Sequence, residues 1–425
     1  MREQGVSLSK SHSLTASPSD LSKTENTRYI SLDTLRGFAL LGILMMNAIA
    51  FAYPEIVYSN PFAMGALSSA DLWQWMLTDL FFAEKFYALF SMLFGAGIVL
   101  MANKQSDPQR AKNLHYRRML WLLMIGLIHG YLLWWGDILV TYAISGMLIY
   151  SCRHWRIRSL WIVAVLLQLA ITCLYLLMYW GWDVMPADEL AESKAVFWPS
   201  EQTLRAEINA NLGSWWQQTT YRVATTIEYQ TSYLIPLIVR MSGIMLIGMA
   251  LYKSGVLLAT RSSRFYLTHL LLFLPLGVAL SACGAWAIAS SEFALPSSFS
   301  TDRLWNLWGS LLTAWGYTCL FMLIAQQAKV SASGIGGRIT AWLAPVGQMA
   351  LTNYLMQSVL CGMIFYGWGM GLYASLSRWQ VSMVVVVIWL IEISWSRWWL
   401  TRFQFGPVEW IWRSATQRRR QAWRR

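Results

Sequence analysis

Long apolar runs, each about the length needed to cross a bilayer, alternate along this chain with short polar segments. At about 1.5 Å rise per residue, a helix needs roughly 20 mostly apolar residues to cross the hydrocarbon layer. The pattern predicts ten such helices, at about 35–53, 80–102, 119–135, 137–152, 159–181, 232–252, 265–289, 305–327, 341–366 and 379–398. The third and fourth are separated only by Gly136-Asp137, so they form a tight helical hairpin whose second arm is short. The predicted class is all-α: a polytopic membrane protein with about ten transmembrane helices.

The polar segments carry an orientation signal. Of 33 Lys and Arg, 25 fall in 1–34, 103–118, 153–158, 253–264, 328–340 and 397–425, and only 5 in the alternate loops. By the positive-inside rule this places both termini in the cytoplasm. Residues 1–30, rich in Ser, Thr and charge, read as a disordered cytoplasmic tail. Residues 31–181 and 232–400 read as two five-helix membrane halves, with 182–231 the long external segment, either an amphipathic surface layer or a cap over a cavity. The basic stretch 401–425 reads as a cytoplasmic tail held at anionic headgroups.

Composition narrows the function. Hydrophobic residues make up 56% and charged residues 13%, about half the charge of a soluble domain, which excludes a soluble enzyme or a disordered chain. The net charge of +12 sits in short blocks between apolar runs, so it reads as topology and not as nucleic-acid binding. Aromatic residues reach 15%, including 26 Trp, a fit to bilayer interfaces. The five Cys lie in or at the ends of apolar runs without ligand spacing, so neither a disulfide framework nor a metal site is expected. Gly334-Ile335-Gly336-Gly337 lacks the Lys and the strand–helix context of a phosphate loop.

Ionisable groups within spans are expensive, which makes each a functional candidate. Asn47 lies past the midplane of span one, Glu84 and Lys85 near the outer start of span two, and His129 near the middle of span three with Asp137 at its outer turn. Arg240 lies in span six, and Asn353 and Gln357, four apart on one face, in span nine. Their shared depth predicts one polar cavity opening outward. Glu84 and Lys85 are also near enough to the boundary to snorkel, and His129 to serve only as a helix-bridging hydrogen bond. Function is favoured for His129: a base near neutral pH, charged or oriented by Asp137 or by another carboxylate such as Glu84. Asp33 and Arg36, three apart, form a second, cytoplasmic group that Glu392 is expected to join.

The stretch from Ser31-Leu32-Asp33-Thr34-Leu35-Arg36-Gly37 to Met46-Asn47 resembles the opening of the YeiB-like family of bacterial inner-membrane proteins. Matching motifs follow in order: Phe86 to Gly97, Ile128-His129-Gly130 to Leu139, Gly347-Gln348-Met349-Ala350-Leu351-Thr352-Asn353-Tyr354, and Phe405-Gly406-Pro407-Val408-Glu409-Trp410. The opening is also similar to the wider transmembrane acyltransferase superfamily, in which the heparan-acetylating branch has Asn where Asn47 stands. That resemblance implies transfer of an acyl group from cytoplasmic acyl-CoA, a co-substrate and not a bound cofactor, to an acceptor across the membrane by means of a His. The loop 53–79, where that branch keeps its His, has none here, which leaves His129 for the role.

Two functions follow as expectations. In a membrane acyltransferase, His129 is the base, Asp137 its partner, and Asn47 and Asn353 polarise the acyl carbonyl or hold the acceptor. Lys85 or Arg240 stabilises the oxyanion, Glu84 and Gln357 line the substrate site, and Asp33, Arg36, Arg117 and Arg118 receive the CoA phosphates. The alternative is a transporter of a small metabolite with the same polar layer as its midplane site. The expected partners are the bilayer and a small-molecule or lipid-linked acceptor, with no nucleic acid and no metal; a homo-oligomer is left open.

Overall fold

The computed structural model describes residues 29–425, so the expected N-terminal tail lies almost wholly outside the described residues. The described residues form helices joined by turns and loops, and the one β-bridge among them links Phe403 and Arg424. Seven helical stretches are long and apolar enough to cross a membrane: 30–52, 69–103, 157–184, 234–253, 263–290, 297–330 and 378–402. The chain is thus a polytopic membrane protein.

Helix α1, Ile30–Ala52, opens the bundle. Then come α2, Ser69–Phe81, and α3, Lys85–Asn103, separated by a turn in which Glu84 has φ 65°. Helix α4, Pro108–Leu132, starts where Asp107 accepts the Gln109 N–H and proline fills the first helical position. The short α5, Leu139–Leu148, returns beside it, followed by α6, Ile157–Gly181. The segment 182–231 is not one surface helix but three: α7, Ala187–Phe197; α8, Glu201–Leu212; and α9, Trp215–Ser232. Serines cap the last two, Ser200 on α8 and Ser214, in a full capping box with Gln217, on α9. The second half holds α10, Leu234–Lys253; α11, Ser263–Ser290; α12, Thr301–Val330; α13, Ile335–Gln348; α14, Ala350–Phe365; α15, Arg378–Arg402; and α16, Pro407–Gln417.

Span nine departs from the expected single helix. The ladder breaks at Met349 (φ −110°, ψ 30°), splitting the run into α13 and α14. The new N-terminus of α14 is not left open: the Glu409 carboxylate of α16 accepts the Leu351 and Thr352 N–H groups at 2.7 and 3.1 Å, and the Thr352 hydroxyl. An acidic side chain at a helix start satisfies orphan donors and complements the dipole, which stabilises the break. Gly367, Gly369 and Gly371 lie beyond the end of α14, in the loop to α15, and interrupt no helix.

The two membrane halves interlock. Helix α10, buried without a gap from Arg240 to Leu251, packs against α3 and α6, and α13 packs along α1. These crossings depend on glycine. A Cβ at Gly248 would land on the Met92 carbonyl of α3, and one at Gly95 on the Met245 carbonyl of α10. Close backbone approach through small residues is how helices gain packing contact inside a bilayer, where apolar burial alone offers no advantage over lipid. Helices α6, α11 and α15 instead expose apolar faces, among them Leu166, Leu177, Leu271, Trp286, Met383 and Leu390, which suits contact with lipid.

The Lys/Arg-rich segments share one end of the bundle: the Ser31 hydroxyl donates to the Leu257 carbonyl, Lys253 to that of Trp155, and Arg118 stacks on Trp412. The basic-poor segments share the other, where Asn60 donates to the Phe197 carbonyl and the Gly367 N–H to that of Asn211.

Candidate functional site

Helix α4 ends in His129, Gly130, Tyr131 and Leu132, and the chain turns through residues 133–138 into α5. The turn is tight because the Leu133 and Trp134 N–H groups both bond to the His129 carbonyl at 2.9 Å. Trp134 stacks on Phe51 of α1, with ring centroids 4.5 Å apart, and fixes the turn against the bundle. The turn swings Asp137 back beside His129, eight residues earlier.

Asp137 uses both carboxylate oxygens. One accepts the Val140 N–H at 2.9 Å at the start of α5; the other lies 2.7 Å from His129 Nδ1. A carboxylate only accepts, so Nδ1 carries the hydrogen and Nε2 is free to accept in turn. Nε2 faces the Ser358 hydroxyl of α14, 2.8 Å away, a hydroxyl that also lies 3.4 Å from the Tyr354 carbonyl. All three side chains are buried, His129 to 1% exposure. Gly126, one turn before the histidine, is required: a Cβ there would sit 2.7 Å from the Val140 nitrogen and 2.9 Å from Asp137 Oδ1. Helix α9 lies over this end of α4, its Thr226 and Arg222 bonded to the Gly130 and Tyr131 carbonyls at 3.1 Å.

The remaining residues read from sequence fall into separately bonded groups. Glu84 pairs with Arg240, not with His129; Arg240 also reaches the Ser310 hydroxyl at 3.5 Å. Lys85, wholly buried, donates to the Asp79 carbonyl and to the Asn306 side chain. Gln357 donates to Glu392 at 2.9 Å and Asn353 to Ser396 at 2.8 Å, both across α14 and α15. Glu392 is thus bonded to Gln357 and makes no ion pair with Arg36 among the described residues. Asn47 is half-buried and has no hydrogen bond among the described residues.

At the basic end, Arg36 and the buried Asp33 form a 2.9 Å ion pair. Arg118 lies over the Trp412 ring, 4.3 Å from its centroid, with Arg413 and Arg36 as charged neighbours. The Arg117 side chain bonds the Asn113 carbonyl at 3.4 Å. No group of three or more His, Cys, Asp and Glu side chains able to hold a metal occurs among the described residues.

Sequence reading missed Ser358, Asn306 and Glu409. Ser358 adjoins Gln357, but a serine in an apolar helix is common and its partner is 229 positions away. Glu409 had a faint signal, a lone acid in an otherwise basic segment after Gly406-Pro407.

Residues 251–419 match the family described as protein of unknown function (DUF418). That segment holds Ser358, Gln357, Glu392 and Glu409, while His129, Asp137, Glu84 and Arg240 precede it. The chain is 30% identical to the uncharacterized protein YeiB of Escherichia coli (strain K12) over 405 residues, 92% of this chain and 97% of that protein. It is equally 30% identical to the uncharacterized protein YxaH of Bacillus subtilis (strain 168) over 406 residues, 92% of this chain and 94% of the relative. With nearly their whole length shared and the DUF418 segment in place, the chain belongs to the YeiB-like family of proteins of unknown function.

Proposed function

We propose that this protein is a membrane acyltransferase that takes a small acyl group from cytoplasmic acyl-CoA and passes it to an extracytoplasmic or lipid-linked acceptor. The observation that carries the reading is the buried Asp137–His129–Ser358 chain, with contacts of 2.7 and 2.8 Å. An imidazole held by a carboxylate on Nδ1 and facing a hydroxyl on Nε2 is arranged to take and return a proton, which is what acyl transfer to a hydroxyl or amine requires.

In this reading the chain spans a bacterial inner membrane ten times with both termini in the cytoplasm, α5 and α14 being the short spans. The basic end then faces acyl-CoA, whose phosphates meet Arg36, Arg117 and Arg118 near Asp33. The opposite end, beneath α9, faces the acceptor. Asn47, with its amide uncommitted, is positioned to bind substrate. Glu84, Lys85, Arg240, Asn353 and Gln357 shape the surrounding site.

One observation favours transport instead: the break between α13 and α14, since many transporters bind substrate at broken helices. Here the exposed helix start is filled by Glu409, so the protein's own carboxylate occupies the place a substrate anion would take.

The test is CoA release from acetyl-CoA and longer acyl-CoAs by detergent-purified protein, with and without candidate hydroxyl and amine acceptors. Release that depends on His129 supports the reading. No release and no binding of any acyl-CoA removes the donor and leaves transport as the better account.

A further inference from the structure

Transmembrane serines commonly bond back to the carbonyl four residues earlier. Ser358 barely does: its oxygen lies 3.4 Å from the Tyr354 carbonyl but 2.8 Å from His129 Nε2. The hydroxyl is drawn off its own helix toward an imidazole whose other nitrogen is held by a carboxylate. A hydroxyl beside a base that is itself oriented by a third group is the arrangement of an activated nucleophile, here drawn from α4, the turn after it and α14.

We infer that Ser358 is a covalent nucleophile that carries the acyl group as an ester between donor and acceptor. The inference rests on the acyltransferase reading for the identity of the donor, though not for the reactivity of the serine. In the first half-reaction the Ser358 O–H proton passes to His129 Nε2 as Oγ bonds to the thioester carbonyl carbon. The carbonyl re-forms as the C–S bond breaks, and the imidazolium proton goes to the sulfur, releasing CoA as the free thiol. In the second, the acceptor hydroxyl or amine gives its proton to His129 and attacks the ester carbonyl. Ser358 Oγ leaves and takes that proton back. Asp137 remains a carboxylate throughout, stabilising the imidazolium at each stage. A stored acyl group also answers a geometric demand, because a donor from the basic end can depart before an acceptor arrives from the opposite end.

The experiment uses the full chain in detergent, with acetyl-labelled acetyl-CoA and no acceptor, quenched and mapped by peptide mass spectrometry; a fluorophosphonate probe is used in parallel. A label at Ser358 from both reagents, lost in Ser358→Ala and His129→Ala with melting temperatures kept close to wild type, is the expected result. Turnover of Ser358→Ala should fall on the order of 10³-fold. Ser358→Cys should carry its acyl group as a thioester, released by neutral hydroxylamine, a change that a merely structural serine would not produce.

The other outcomes separate the two ideas. His129-dependent CoA release with no label at Ser358, and Ser358→Ala within about threefold of wild type, overturns the nucleophile and leaves the acyltransferase intact. Fluorophosphonate labelling of Ser358 without consumption of any acyl-CoA keeps the nucleophile and overturns the donor. No label from either reagent overturns the inference.

Discussion

Two polar assemblies, the half-buried Glu84 paired with the buried Arg240 and the fully buried Asp137–His129–Ser358, differ in what they leave unspent. In the first, opposite permanent charges meet, and Glu84 holds a left-handed backbone (φ 65°) to make the contact. Such a pair closes on itself: its charges neutralise one another, and removing either strands the other in the bundle. In the second, the chain runs from a carboxylate through an imidazole and ends in a neutral hydroxyl. One is a clasp between the start of α3 and α10; in the reading proposed above, the other moves a proton. Polarity alone does not tell them apart; the end group does.

The comparison is easiest to break from the side of the clasp. Glu84→Gln should cost about 3–5 kcal/mol by leaving the buried Arg240 charge unpaired, read as a lower denaturation midpoint in detergent, and Arg240→Met in that background should recover part of the loss. His129→Ala should show the opposite profile: acyl-CoA turnover down 10²- to 10⁴-fold with little change in that midpoint. If both variants lose stability alike, the distinction fails. Gly126→Ala sharpens it further. The added methyl pushes on Val140 and Asp137, so turnover should drop by about 100-fold while the Glu84–Arg240 clasp and the fold persist. Glu409→Ala removes the cap of α14 and should cost about 1–2 kcal/mol, with a fall in turnover because Ser358 rides on that helix.

A pH-dependent effect lies outside the spans. Burial, with the Glu207 carboxylate second, pushes the Glu55 carboxyl up to about 8, and the Glu55 N–H bonds to Glu207 at 2.9 Å. A carboxyl raised on folding favours the folded state while both states are protonated, and that contribution is lost as pH rises through the folded value. Thermal stability should therefore decline gently between about pH 5 and pH 8, and Glu55→Gln should flatten the decline.

What the sequence made legible was whatever depends on local composition. The spans, the basic end and the tight hairpin at Gly136-Asp137 follow from runs of apolar residues and from chain reach. The break at Met349 had a local signal in Pro345 and Gly347-Gln348, but the carboxylate that caps the new helix, Glu409, lies 58 residues after Leu351. His129 and Asp137 stood out because titratable groups in spans are rare. Ser358 did not, because a hydroxyl in a helix costs little and only its partner across the bundle distinguishes it. The segment 182–231 carried its helix starts openly in Ser200 and Ser214-Trp215-Trp216-Gln217, yet nothing local says which helix end α9 will cover.

The cap on α14 also orders events in time. Synthesis delivers α14 to the membrane before α15 and α16 exist, so the helix bearing Ser358 waits with its first amides unsatisfied. Only when Glu409 is made does that end close. In the proposed reading, the contact that seats Ser358 is thus among the last to form.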